Sequence, residues 1–105
     1  MSKQELIKIL SKHLKKKGYE VIVENIIPYA GHISDLEAIK GREKLCIEII
    51  NGNNLDTEKT KVKWQALSGN REWDFCIFTK ESKVEEVRKL LKEWKITYRK
   101  IWSVP

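Results

Sequence analysis

Two carboxylates in the sequence lie where an ionised group is costly. Glu48 interrupts the apolar run from Leu45 to Ile50, and a carboxylate in an apolar strand must be protonated, paired or bound to a cation. Asp35 lies on the neighbouring strand of a predicted hairpin and can approach Glu48. Two facing carboxylates repel, and a hard divalent cation between them removes that penalty. The pair is therefore a candidate metal site.

A structural ion pair is the alternative explanation of Glu48. Lys61 and Lys63 follow in the next predicted helix, and either ammonium could neutralise a buried carboxylate there. Composition alone does not separate this ion pair from a metal site.

Length and charge limit the kinds of protein that this chain can be. The chain has 105 residues and a formal net charge of +6, which fits one domain over 1–105 and suits a polyanionic partner such as nucleic acid.

No apolar run is long enough to cross a bilayer. The N-terminus lacks the basic-then-apolar order of a signal peptide, which predicts a cytoplasmic protein. Cys46 and Cys76 lie in apolar runs without C-x-x-C spacing, so we expect two buried core residues.

Five strands and three helices are predicted to position the two carboxylates. Ser2 with Glu5 forms a capping box for the first helix, which Gly18 ends. The second helix runs from Asp56 or Thr57 to Leu67, and a second capping box, Ser82 with Glu85, begins the third. The strand patterns cover residues 19–27, 35–39, 45–50, 73–79 and 96–102.

The order of these elements predicts a mixed α/β fold. Short connections join the first three strands into an antiparallel meander, and Gly41-Arg42-Glu43 forms one of the turns. The helix between the third and fourth strands is a crossover, so those two strands should be parallel. The last strand should lie at an edge of the central sheet, with helices covering the faces.

This order and its acidic residues resemble the PD-(D/E)XK nuclease superfamily, most closely the archaeal Holliday-junction resolvases and their small viral or plasmid relatives. The segments that carry the resemblance are Glu5–Leu10, Gly18–Val21, Ile33–Ile39 and Leu45–Gly52. The resemblance implies a restriction-endonuclease-like core. Asp35 then matches the motif aspartate, Glu48 the acid of (D/E)-x-K, and Glu5 the additional glutamate of the resolvases.

Two positions depart from the family pattern. Ser34 replaces the motif proline, which is a harmless variation. Ile50 replaces the motif lysine, which in the family's mechanism orients or deprotonates the attacking water and stabilises the charge that develops on phosphorus. Some members supply this amine from the following helix. That helix carries Lys59, Lys61 and Lys63 here, and we favour Lys63 because it lies deeper along the helix.

The resemblance implies a metal-dependent DNA endonuclease that hydrolyses phosphodiester bonds, including those of branched DNA. Mg²⁺ or Mn²⁺ would bind Asp35, Glu48 and the backbone carbonyl of Ile49, and Glu5 would act through water. The candidate contacts to the DNA backbone are the basic residues Lys12, Lys15, Lys16, Lys17, His32, Lys40, Arg42, Lys44 and Lys59.

Two other hypotheses stay open. Because Ile50 cannot perform the work of the motif lysine, one alternative is a catalytically inactive nuclease-like fold that binds nucleic acid or a protein. The other is an oligomerisation module, such as a homodimer, in which the tryptophans and the last edge strand form the interface. Trp102, near the end of that strand, is the tryptophan most suited to an interface.

Overall fold

The computed structural model describes residues 2–23, 34–52 and 55–105. The predicted strand over 24–27 and the candidate contact His32 lie outside these ranges. The described helices are α1 (Lys3–Lys16), α2 (Glu58–Ser68) and α3 (Val84–Glu93), the last preceded by a 3₁₀ turn over Glu81–Lys83. The described strands are β1 (Glu20–Val23), β2 (Leu36–Lys40), β3 (Glu43–Ile50), β4 (Asp74–Lys80) and β5 (Lys100–Val104). No helix within these ranges is long and apolar enough to cross a membrane.

The strands form one open sheet in the order β1-β2-β3-β4-β5. β1 with β2 and β2 with β3 are antiparallel pairs, whereas β3 with β4 and β4 with β5 are parallel pairs. Parallel neighbours require a crossover connection, and α2 and α3 provide the two crossovers. The prediction of a mixed α/β fold with an antiparallel meander and a parallel fourth strand is confirmed.

The central strand β3 is apolar on both sides because helices cover both faces of the sheet. Leu45, Ile47 and Ile49 pack in the cluster beneath α1, and Cys46 and Ile50 pack in the cluster beneath α2 and α3. A strand buried on both faces is expected to form a near-continuous apolar run. Alternation along β3 therefore places Glu48 on the α2 face, inside an apolar layer.

The two cysteines are free and lie on opposite sides of the sheet. Cys46 is 4% exposed in the cluster beneath α2 and α3, and Cys76 is 0% exposed in the cluster beneath α1. Burial is the largest cause that raises the pKa of each thiol to about 12. The expectation of two buried core cysteines is confirmed.

Two of the predicted element boundaries are wrong. The strand predicted over 96–102 begins only at Lys100. Ile96, the apolar residue at which the predicted strand began, is buried beneath α3 and belongs to the connection between α3 and β5. The Ser82–Glu85 capping box is absent, because Ser82 lies inside the 3₁₀ turn and α3 begins after Lys83 with no side-chain cap.

The first capping box, by contrast, is formed. The hydroxyl of Ser2 accepts the Glu5 backbone N–H at 3.2 Å, and the Glu5 carboxylate accepts the Ser2 backbone N–H at 3.4 Å. At α2 the cap is Thr57, whose hydroxyl accepts the backbone N–H of Thr60.

This difference between the two serines gives a stability prediction. Ser2→Ala should lower the free energy of unfolding by about 1 kcal/mol, because it removes a cap hydrogen bond, and Tm should fall by about 4–8 °C. Ser82→Ala is the matched control and should change stability by less than about 0.5 kcal/mol. Thermal unfolding followed by circular dichroism measures both variants, and equal losses would contradict the prediction.

Candidate active site

Asp35 directly precedes β2, and Glu48 lies on the neighbouring strand β3. The antiparallel register pairs Leu36 with Ile47, and one further step of the same register places Asp35 opposite Glu48. Directly opposed residues in such a pair have Cβ atoms about 4.5–5.5 Å apart and share a face of the sheet. The structure therefore brings together the two carboxylates that the sequence pattern singled out.

Both oxygens of the Asp35 carboxylate have a partner. Oδ2 accepts the backbone N–H of Ile49 at 2.9 Å, and Oδ1 lies 2.7 Å from Nζ of Lys3. The Asp35 side chain is 13% exposed, whereas that of Lys3 is 46% exposed. The backbone of β3 thus fixes Asp35 from one side, and the first turn of α1 neutralises it from the other.

Glu48 is the more deeply buried of the two acids. Its residue exposure is 6%, and Nζ of Lys63 lies 3.1 Å from Oε1. This approach is at ion-pair distance but outside hydrogen-bond geometry, so Oε1 is buried without a hydrogen-bond partner among the described residues. A buried carboxylate oxygen that lacks a directed donor is costly, and the same atom can accept a further cation.

Burial dominates the protonation of Glu48. Burial is the largest cause that raises the pKa of Glu48 to about 7, and the charge of Asp35 adds to the rise. The ammonium groups of Lys63 and Lys3 act in the opposite direction. Glu48 therefore changes its charge close to neutral pH.

This raised pKa predicts a pH-dependent stability. Below about pH 4.5 Glu48 is protonated in both states, and between about 4.5 and 7 the unfolded state loses its proton first. The folded state then binds more protons, so the contribution of Glu48 to stability is lost as the pH rises through this window, by about 3 kcal/mol in total. We expect Glu48→Gln to lack this component.

Urea denaturation of wild type and Glu48→Gln from about pH 4.5 to 8 measures this contribution, because the difference between their unfolding free energies is the contribution of Glu48 to stability. Glu85→Gln, which changes an exposed carboxylate on α3, is the control. Parallel curves for wild type and Glu48→Gln would contradict the prediction.

The helix α2 supplies one of its three candidate lysines to the pair. Lys63 contacts Glu48, whereas Lys59 is exposed and Lys61 is half-buried, and neither of these two forms an ion pair with a described residue. Ile50, which the resemblance predicts at the position of a motif lysine, is 5% exposed and packs in the cluster that contains Trp64 of α2.

In the first turn of α1, the residue that reaches the site is not the predicted one. Glu5 uses its carboxylate to cap the first turn of α1, and the structure gives it no contact with Asp35 or Glu48. Lys3, which the sequence reading did not select, reaches Asp35 instead. The only available signal was the resemblance, which placed the start of the first helix near the site through Glu5.

The candidate DNA contacts are distributed over two regions. Lys12, Lys15 and Lys16 are exposed on α1, whereas Arg42 is exposed in the turn at the far end of the β2–β3 hairpin from Asp35. Two further basic candidates contact other groups: Lys40 donates to the backbone oxygen of Lys17, and Lys44 lies over the ring of Trp73. Lys17, after α1, and Lys59, on α2, are exposed.

Within the described ranges no group of three or more His, Cys, Asp or Glu side chains could hold a metal ion, so the donor set at this site is two carboxylates.

Comparison with known protein families, curated proteins and solved structures finds no match to the chain.

Proposed function

We propose that this protein is a metal-dependent DNA endonuclease that hydrolyses phosphodiester bonds at the Asp35–Glu48 pair. The observation that carries the proposal is a pair of neighbouring carboxylates, partly exposed Asp35 and buried Glu48, with a lysine ammonium 3.1 Å from the deeper one. A buried carboxylate with a raised pKa and a specific charged partner, as Glu48 has, is typical of functional sites. The positive charge of the chain suits a polyanionic substrate.

The donor set is compatible with Mg²⁺ or Mn²⁺. Mg²⁺ is commonly bound through one or two carboxylates together with water and substrate phosphates, and Asp35 and Glu48 provide two. Oε1 of Glu48 is a buried acceptor without a hydrogen bond among the described residues. When bound, such an ion polarises the scissile phosphate and lowers the pKa of a coordinated water.

The charges of the site support this assignment. Two carboxylates and the two ammonium groups of Lys3 and Lys63 balance each other, so the cluster is close to neutral when both acids are ionised. A divalent ion makes the same cluster positive. This cluster itself would then attract a phosphate group of the DNA only once the metal is in place.

Lys63 is the residue that we assign to the role of the missing motif lysine. Its Nζ contacts the buried acid, and its side chain is 28% exposed, so Lys63 is partly open to solvent. From there the ammonium can stabilise the negative charge that develops on the phosphate in the transition state. Ile50 supports this arrangement indirectly, because it packs in the same cluster as Trp64, the neighbour of Lys63 on α2.

A specific observation also favours the inactive alternative. The Lys63–Glu48 contact is a complete structural ion pair by distance, and Ile50 cannot activate water. In that case the fold would bind nucleic acid or a protein without cutting. The homodimer hypothesis stays a prediction; β5 does lie at the sheet edge, and Trp102 on it is half-buried.

A cleavage assay tests the proposal directly. Purified protein is incubated with supercoiled plasmid, linear duplex or a four-way junction, with Mg²⁺, with Mn²⁺ or with EDTA. We expect nicked or cut products with a metal and none with EDTA. Intact substrates under all metal conditions, together with retained DNA binding, would reject the endonuclease in favour of the inactive binding fold.

A further inference from the structure

A groove with four lysines runs along the outer side of α1. Its volume is about 680 Å³, and Val23 on the edge strand β1 forms part of its opposite wall. The four lysines are Lys8, Lys12, Lys15 and Lys16, all exposed. They span about 12 Å along the helix axis at 1.5 Å per residue. None of the described residues that line the groove is acidic.

Among the described residues, none of these four lysines has an ion-pair partner. The ion pairs of the described residues use Lys3, Lys63, Lys83, Lys89 and Arg99. No carboxylate in those ranges pairs with a groove lysine. Four like charges held on one helix face repel each other, and a polyanion that binds them relieves the repulsion and releases its own counterions.

The rest of the groove suits a sugar–phosphate backbone better than a simple anion. Ile7 and Val23 contribute apolar surface between the lysines, and Val23 is 42% exposed. The hydroxyl of Ser11 also lines the groove and is buried without a hydrogen-bond partner among the described residues. Apolar contacts and a single hydroxyl are compatible with sugars, and the lysines with phosphates.

The position of α1 relates this groove to the candidate active site. The first turn of α1 carries Lys3, whose Nζ contacts Asp35. The distance along the helix from Lys3 to Lys16 is about 20 Å. On the other wall of the groove, Val23 pairs with Leu36, the residue that follows Asp35. A strand bound in the groove would therefore pass close to the two carboxylates.

We propose that the α1 groove binds the phosphodiester backbone of nucleic acid that approaches the Asp35–Glu48 site. The inference rests on the proposed function only in naming nucleic acid as the polyanion. It adds Lys8 and Ser11 to the predicted contacts, and it assigns Lys12, Lys15 and Lys16 to one continuous surface from which Arg42 and Lys59 are absent.

The test measures binding without divalent ions, so it does not depend on cleavage. The groove variant carries Lys8→Gln, Lys12→Gln and Lys15→Gln. The control variant carries Arg88→Gln, Lys89→Gln and Lys92→Gln on the exposed side of α3, so both lose three positive charges. Fluorescence anisotropy in EDTA follows binding of labelled single-stranded and duplex DNA between about 50 and 200 mM NaCl.

We expect the groove variant to bind at least about tenfold more weakly than the control. Its slope of log affinity against log salt should be shallower by about 2–3, because each lost phosphate contact removes about 0.7 for a single strand or 0.9 for a duplex. Single-stranded and duplex probes identify which form supplies the backbone. Circular dichroism confirms that each variant is folded.

Three results would overturn the inference. Equal weakening of both variants would mean that only net charge matters, and unchanged binding by the groove variant would place the contacts elsewhere. Binding of phosphatidylserine vesicles that depends on the same lysines, without DNA binding, would identify a membrane surface as the polyanion. If the groove variant binds DNA more weakly than the control but wild type cuts no substrate with any metal, the groove proposal stands and the endonuclease proposal is rejected.

Discussion

Glu48→Gln should reduce DNA cleavage by more than about 10³-fold, which corresponds to about 4 kcal/mol of transition-state stabilisation. The amide keeps the size of the side chain but removes the negative charge that would hold a divalent cation. In the same variant, stabilisation of the fold by Mn²⁺ should disappear, whereas wild type at a hundredfold excess over Kd should gain about 2.7 kcal/mol. Initial cleavage rates and thermal unfolding with and without Mn²⁺ measure the two effects.

The stability of the metal-free variant separates the two explanations of Glu48. A purely structural ion pair predicts a loss of a few kcal/mol, because the substitution strands the lysine. We expect no such loss, since Lys63 is 28% exposed and can turn its ammonium to solvent. Glu20→Gln, which changes an exposed carboxylate on β1, is the control. Cleavage that survives Glu48→Gln would show that the active site has been assigned to the wrong residues.

Lys63→Met should reduce cleavage by about 10²–10³-fold while metal binding is retained or becomes tighter. The loss has the size found when one group that stabilises a developing negative charge is removed. Metal binding should not suffer, because an ammonium that competes for Glu48 is gone. Single-turnover cleavage with saturating DNA and calorimetric titration of Mn²⁺ provide the two measurements.

Three further variants make this result specific. Lys63→Arg should recover part of the activity, since the positive charge is kept, and Lys92→Met on the exposed face of α3 controls for the loss of one charge. Lys59→Met and Lys61→Met test the other helix lysines. A larger loss from either of them would remove Lys63 from its proposed role. Metal binding by wild type without cleavage of any substrate would identify Ile50 as the mark of an inactive site.

The parts of the site that were predictable depend on local pattern. A single charged residue in the apolar run of β3, next to a hairpin with a short turn, was enough to predict that Asp35 and Glu48 meet. The order of the first four strands was also predictable, because short connections favour antiparallel neighbours and a helical connection requires a parallel pair; the parallel pairing of β5 with β4 was not predicted. Lys59, Lys61 and Lys63 were all left open as partners of Glu48, with Lys63 favoured for its depth along the helix, and the structure places Lys63 at Glu48.

The features that were missed depend on tertiary structure. The ion pair between Lys3 and Asp35 joins residues that are distant in the chain, and no local sequence pattern predicts it. Arg99 likewise bridges Glu43 and Asp74 at the starts of β3 and β4. The Ser82 motif failed for a related reason. Because β4 continues directly into a 3₁₀ turn, Ser82 lies inside that turn and not at an N-cap.

The burial of the two thiols makes this protein a clean background for chemical labelling. Burial raises the pKa of each thiol to about 12, so almost none of either thiol is ionised at pH 8, and the thiolate is the form that attacks maleimides. Cys46 and Cys76 are also inaccessible to a reagent in the folded state. A cysteine introduced on the exposed surface, for example at Lys59, would therefore be the one reactive thiol. A fluorophore could be attached beside the candidate site without first replacing the native cysteines.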